Sequence, residues 1–296
     1  MSEKEIPESL VGSRLDDALL LFFPEMGLRG RRRAIADGRA LVNGNPCRAG
    51  QKLKKGDRLA ILPLPASTAP EPLFIGEKNN IYVFDKPPGL HTQELAGREG
   101  SSLEGWIKSA LTLGRGKTPP KLLQRLDFRS SGLIIGSDDS FCEKFRRMEN
   151  RGSCRKYYLT ILTGELKTPA IASRALDIDN RRATRILSGQ AEPLHITAFT
   201  PLGSFSKADG IRTVAICEIK KGLRHQIRAH AASIGHPLYG DGKYGEAPEE
   251  SFYLRHFCLE TPEFQIFHYP GDLPDKDMEK FFLEFVREKN FQTTLF

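Results

Sequence analysis

Four prolines fall within ten residues, at Pro63, Pro65, Pro70 and Pro72, and neither a helix nor a central strand can run through them. Each fixes one backbone torsion and removes an amide donor, so the stretch reads as a semi-rigid linker. The chain is thereby divided before any other pattern is considered. We place a small domain at residues 1–62, the linker at 63–78 and a large domain at 79–296. A chain of 296 residues suffices for one large core beside a small one. No run of about 18 apolar residues occurs, which argues against a membrane span. The polar, acidic start MSEKEIPESL argues against a signal peptide. Cys47, Cys142, Cys154, Cys217 and Cys258 are odd in number and form no C-x-x-C pair, so a disulfide framework is not expected. A reducing, cytoplasmic setting is the expectation.

The formal net charge is +7, but its distribution says more. Between Arg29 and Arg58 stand ten Lys or Arg against two acids, whereas the residues before them are net acidic. Leu15, Leu19 and Phe22 recur at helical spacing, and a second helix is predicted from Arg31 to Asp37, stopped by Gly38. Ala40 to Val42 is a strand entering an Asn43-Gly44 turn, and Arg58 to Leu62 is another. A charge run is ordinarily a solvated face. Here it opens a helix and continues onto a hairpin, so one face could line a phosphate backbone. Arg29, Arg31, Arg32, Arg33, Arg39, Lys52, Lys54 and Lys55 are the candidates.

The large domain alternates strands and helices. Asn80 to Asp85 is a strand closed by Lys86-Pro87-Pro88-Gly89, and Ser101 with Glu104 forms a capping box for a helix through Leu103 and Ile107. Phe141 to Asn150 is a charged helix, Arg155 to Gly164 a strand, Arg174 to Arg185 a charged loop or hairpin, and Thr213 to Ile219 a strand. Leu223 opens a helix ending at Gly235, with Ile227, Ala231 and Ile234 on one face and Arg224 and Arg228 sharing a side. Gly116-Lys117-Thr118 lacks the glycine of a P-loop, since Leu111 stands there. Gly240 to Gly245 spells G-x-G-x-x-G but follows a helix and a His-Pro turn, the wrong context for dinucleotide binding. His225, His230 and His236 have no Cys or carboxylate at ligand spacing, so no metal site is expected. The last thirty residues yield no assignment.

Leu122 to Ser137, LLQRLDFRSSGLIIGS, holds an ionisable residue between two apolar segments. Asp127 alone would be read as a turn residue bonding its own backbone. The whole string resembles the Arg-Leu-Asp-x-x-Thr-Ser-Gly signature of the RluA-type pseudouridine synthases, with Arg125, Leu126, Asp127, Ser131 and Gly132 in place. Gln124 stands where that family usually has His, and Ser130 where it usually has Thr. Further strings resemble the same family: Lys86-Pro87-x-Gly89; Lys156-x-Tyr158 leading to Gly164; His225-Gln226-Ile227-Arg228-x-His230; and His236-Pro237, Gly240-Asp241, Tyr244-Gly245. Leu223 replaces the first arginine of the third string, and Thr160 an alanine of the second. Arg14-Leu15-Asp16, Gly38-Arg39-x-Leu41-Val42-Asn43-Gly44 and Gly56-Asp57 also resemble the small RNA-binding domain first described in a ribosomal small-subunit protein. Together the resemblances cover about residues 12–62 and 80–260.

The resemblance implies an α+β catalytic domain, a mixed and mainly antiparallel sheet flanked by helices, behind a small α/β RNA-binding domain. It implies an RNA uridine-to-pseudouridine isomerase in which Asp127 is the catalytic carboxylate, Tyr158 stacks on the uracil and Arg228 pairs bidentately with Asp127. Lys86 would support the cleft or touch a phosphate, and Arg125, Arg224, His225 and Gln226 are taken as RNA contacts. Isomerisation needs no redox or energy source, so no cofactor is expected. The expected partner is RNA, ribosomal in preference to transfer RNA, met by a monomer away from membranes. Gln124 and Leu223 leave open a catalytically inactive RNA-binding protein of the same fold. A hydrolase or nuclease is disfavoured, since neither G-x-S-x-G nor a carboxylate cluster occurs.

Overall fold

The computed structural model describes residues 3–24, 26–63, 70–96, 101–115, 118–179, 184–245, 251–271, 273–289 and 291. Two compact units are present: residues 1–70 with 91–118, and residues 71–90 with 119–296.

The smaller unit carries strands β1 (Lys4–Glu5), β2 (Ala40–Val42), β3 (Asn45–Pro46) and β4 (Arg58–Ile61) in the order β1-β4-β2-β3, all antiparallel. Helices α1 (Leu15–Phe22) and α2 (Leu28–Ala36) place Leu15, Leu19 and Ile35 against Leu53 and Leu59 in one apolar cluster. Burial of each such side chain stabilises the unit by about 1.5 to 3 kcal/mol. The β2–β3 turn has Asn43 at φ 51° and Gly44 at φ 77°, the double left-handed geometry that suits a tight hairpin. Helix α3 (Leu103–Arg115) belongs to this unit. Its capping hydroxyl is Ser102, whose Oγ accepts from Gly105 N at 3.0 Å, rather than Ser101. Glu104 instead accepts from Glu94 N and pairs with Lys108.

The larger unit is built on one ten-stranded sheet. Its strands are β5 (Leu73–Lys78), β6 (Ile81–Lys86), β7 (Lys121–Leu122), β8 (Ser131–Ser137), β9 (Arg155–Thr163), β10 (Ala170–Ala172), β13 (Thr197–Lys207), β14 (Gly210–Ile219), β15 (Leu254–Glu260) and β16 (Gln265–Phe267). A separate ribbon pairs β11 (Arg174–Asp177) with β12 (Arg185–Gln190). That ribbon falls on the stretch read as a loop or hairpin and is the hairpin of the two, while Arg181 and Arg182 lie outside the described residues. The main path runs β10-β13-β14-β9-β15-β8-β6-β5, with β16 on β15 and β7 on β8. β15 pairs parallel with β8 and antiparallel with β9, making the sheet mixed but mainly antiparallel. β5 occupies residues 73–78, so the segment taken as linker through residue 78 already forms sheet; its apolar and β-branched side chains suit a strand once the prolines end.

Helices α4 (Asp139–Asn150), α5 (Gln226–Ser233) and α6 (Lys276–Lys289) complete this unit. Asp138 caps α4 by accepting from Phe141 N at 2.9 Å. One cluster gathers Met278, Phe282 and Phe285 of α6 with Leu159, Phe257 and Phe267; another gathers Val83, Leu133, Ile135 and Phe145. α6 falls within the stretch for which the sequence had yielded no assignment. No described helix is long and apolar enough to cross a membrane.

Candidate active site

Asp127 lies in the bend between β7 and β8. Leu126 is buried beside it, Ser130 N donates to Asp127 O, and Gly89 N donates to Phe128 O, so backbone bonds shape the bend on both sides. At the start of β8, Gly132 has φ 108°, and a Cβ there would meet His256 O at 2.1 Å. Only glycine allows the bend to enter the buried strand at this point.

A cavity of about 210 Å³ within the larger unit is lined by Asp127, Arg125, Tyr158, Arg224, His225 and Arg228 among others. The Asp127 side chain is 24% exposed, and its Oδ2 lies 3.5 Å from Arg228 Nη1 and 3.8 Å from His225 Nε2. The bidentate partner of Arg228 is a different carboxylate. Arg228 Nε donates to Asp241 Oδ2 at 2.7 Å and Nη2 to Asp241 Oδ1 at 2.6 Å. This corrects the expectation of a two-pronged Arg228–Asp127 pair. Asp241 is fully buried and already fixed by the amides of Lys243 and Tyr244, so it takes the guanidinium fork and leaves one outer nitrogen for Asp127. Burial alone would raise the Asp241 pKa, but Arg228 and those amides bring it below the usual carboxylate range. Burial likewise opposes the charge on Arg228, and Asp241 and Asp127 together outweigh it. The rings of Tyr244 and Phe252 lie 5.3 and 5.2 Å from the guanidinium carbon.

α5 begins at Gln226, so Arg224 precedes the helix and does not share a helical side with Arg228. His225 is its N-cap and adopts a left-handed backbone, φ 54°. Its Nδ1 lies 3.0 Å from Tyr244 Oη. Burial lowers the His225 pKa below the ordinary histidine value; Asp127 opposes this, while Arg228, Lys243 and Arg224 reinforce it. Gln226, expected to contact RNA, is buried instead. Its amide donates to His195 O and Thr197 Oγ1, and its Oε1 accepts from Leu223 N, which locks the turn into α5. Arg224 lines the cavity, and Arg125 is an exposed part of the lining.

Tyr157 and Tyr158 alternate across β9. Tyr157 lies in the apolar cluster around Phe257 and donates to Glu260, whereas Tyr158 lines the cavity. His256 stacks on Tyr158 with ring centres 4.8 Å apart and planes at 25°. Burial raises the Tyr158 pKa and lowers that of His256 to about 4, so both are neutral near pH 7. Gln124 Nε2 donates to Leu133 O and lies 3.3 Å from His256 Nδ1, which gives it a place in the wall behind Tyr158. Lys86 is fully buried, with Nζ donating to Pro87 O and Leu90 O, and so supports the cleft rather than a phosphate. Burial lowers its pKa to about 7 against the pull of Asp127 and Asp85.

Within the smaller unit, Arg29, Arg32, Lys52, Lys54 and Lys55 are exposed and Arg33 is half-buried. Arg31 and Arg39 are buried, contrary to their reading as RNA contacts. Arg31 donates to Asp16 O and Met26 O, and Arg39 to Leu62 O, so both tie backbone segments together. Arg32 donates to the buried Asp16 carboxylate at 2.7 Å, which commits part of its charge to the fold. Asp241 is the site residue whose part the sequence did not reveal; its Gly-Asp string was visible but pointed to no partner.

A carboxylate facing a guanidinium, an imidazole and an aromatic wall can act on a planar base and its sugar. The family model described as RNA pseudouridylate synthase matches residues 80–233. The chain is 28% identical over 268 residues to an uncharacterised RNA pseudouridine synthase of Aquifex aeolicus, covering 83% of this chain and 82% of that one. It is 25% identical to ribosomal large subunit pseudouridine synthase D of Nitrosomonas europaea, covering 84% and 74%. Among solved structures, human RNA pseudouridylate synthase domain containing 1 shares the fold with a TM-score of 0.57 at 18% identity, covering 79% of this chain and 99% of that one. The chain belongs to the RNA pseudouridylate synthase family, and its activity is the isomerisation of uridine in RNA to pseudouridine.

Proposed function

We propose that this enzyme modifies ribosomal RNA, with Asp127 as the catalytic carboxylate. The observation carrying the proposal is the convergence of Asp127, Arg228 and Tyr158 on one cavity. Asp127 is open to that cavity and faces the Arg228 guanidinium, Oδ2 lying 3.5 Å from Nη1. Arg228, itself oriented by Asp241, holds the carboxylate toward the sugar. The uridine leaves the RNA stack to reach it, and its base stacks on Tyr158, whose ring is backed by His256. The N1–C1′ bond breaks, the freed uracil turns, and C5 joins C1′.

Several relatives are named for the large ribosomal subunit, in keeping with a structured ribosomal substrate. Residues 1–62 act as an RNA-binding domain through the exposed Arg29, Arg32, Lys52, Lys54 and Lys55. The enzyme works as a monomer in the cytoplasm, where such RNA is found. Pseudouridine mapping of total RNA from cells with and without the gene tests the substrate. A missing modification in large-subunit RNA, restored by the wild-type gene and not by Asp127→Asn, is the expected result. Loss confined to transfer RNA, or restoration by Asp127→Asn, would overturn the corresponding part.

A further inference from the structure

We infer that His225 is the base that takes the C5 proton of the rotated uracil, an inference that rests on Asp127 being the carboxylate at the sugar. Tyr244 fixes the state of its ring. The Tyr244 hydroxyl has one hydrogen and two lone pairs. It accepts from Thr184 N at 2.8 Å and donates to Thr184 O at 3.2 Å, so its remaining lone pair faces His225 Nδ1 at 3.0 Å. With the Tyr244 hydrogen on Thr184 O, Nδ1 carries the hydrogen and donates. Nε2 is left with a free lone pair on the side facing Asp127, 3.8 Å from Oδ2. The left-handed backbone at His225, unusual for a side chain of this size, is held by the same contact and by the start of α5.

The alternatives lining the cavity are less suited. Glu149 is ion-paired with Lys156, and burial keeps Tyr158 protonated. Asp127 is engaged on the sugar side. The groups that face His225 are Asp127, Arg228, Arg224, Lys243 and Tyr244; burial and the three cations outweigh Asp127, so the imidazole is neutral at pH 7.

The proton count requires such a base. When N1–C1′ breaks, the electron pair stays on the uracil; when C5 bonds to C1′, C5 still carries its hydrogen. His225 Nε2 takes that proton, the C5–H electron pair restores the C5–C6 double bond, and N1 takes a proton from solvent. The imidazolium then returns its proton to solvent. Uridine and pseudouridine keep the same formula.

The test is single-turnover isomerisation of a transcript carrying C5-protio or C5-deuterio uridine. His225→Asn is the first variant, because asparagine tolerates a left-handed backbone but cannot hold the proton. Its rate should fall about 100-fold or more at unchanged RNA affinity. Its deuterium effect should exceed that of wild type, and the acid limb of the wild-type pH profile should disappear. Tyr244→Phe keeps the ring beneath Arg228 but frees Nδ1, so the rate should fall in the same direction. A His225→Asn rate within about twofold of wild type, or a slow variant with the wild-type isotope effect, overturns the inference. Should His225→Asn fail to fold, a Tyr244→Phe enzyme with wild-type rate and isotope effect overturns it equally. Turnover by Asp127→Asn, measured alongside, would instead refute the reading on which it rests.

Discussion

Asp241→Asn isolates the pair that orients Arg228. The substitution preserves shape and removes one charge, leaving a buried guanidinium without its bidentate partner. Breaking one side of a buried ion pair costs about 3 to 5 kcal/mol. At roughly 2 to 4 °C per kcal/mol for a body of this size, the melting temperature of the larger unit should fall by about 6 to 20 °C. The loss should depend on pH. The folded-state pKa of Asp241 is depressed, so its contribution is fully present above the ordinary carboxylate value and is lost as pH falls through the depressed one. Melts of wild type and variant followed by circular dichroism should therefore be far apart at pH 7 and converge in strong acid. Single-turnover rate should fall as well, because Arg228 Nη1 is no longer held toward Asp127. A variant melting within about 1 °C of wild type at pH 7 would refute the view that Asp241 anchors this cation.

Lys86 has a folded-state pKa near 7 against an ordinary 10.5, so the unfolded chain binds more protons between those values and stability should rise with pH there. Lys86→Met should remove up to about 1.4 kcal/mol per pH unit from that rise, which urea unfolding at pH 7, 8 and 9 would reveal; identical slopes would count against it. Replacing Lys52, Lys54 and Lys55 together by Ala should weaken RNA binding and flatten its salt dependence by about 0.9 for each phosphate no longer neutralised, borrowing the duplex value, with the single-turnover rate at saturating RNA unchanged. Unaltered filter-binding curves across a salt series would exclude these lysines from the RNA interface. Gly132→Ala should destabilise the larger unit severely, because its Cβ would stand 2.1 Å from His256 O; a melt within a degree or two of wild type would show that the backbone yields there easily.

The loop that carries Asp127 into the cavity was legible because its string is local. Arg125 to Gly132 is contiguous, and the choice of Tyr158 over Tyr157 follows from a string that the alternation of a strand then respects. What depended on direction was harder to read. Counting cations between Arg29 and Arg58 ignored that Ala34 and Ile35, three and four residues after Arg31, share its side of α2 and face the core. Met278, Phe282 and Phe285 had helical spacing too, and that signal in α6 went unread. Other facts are not local at all. Nothing in the spacing says which of two carboxylates receives the Arg228 fork, nor that residues 91–118 join residues 1–70. Both are settled by packing between distant segments.

The position of β15 bears on how the chain is made. Two blocks of strands, β5, β6 and β8 from residues 73–137 and β9, β13 and β14 from residues 155–219, are complete well before it is synthesised. Among the described strands, the pairing that joins them runs through β15, at residues 254–260. Until that strand has left the ribosome, β8 and β9 each present an apolar edge with unpaired amides and carbonyls, the kind of surface that templates aggregation. A nascent chain stopped before about residue 260 therefore holds two partial sheets and lacks the strand that joins them. Chaperone occupancy should peak on chains that have exposed both blocks and still await the strand that joins them.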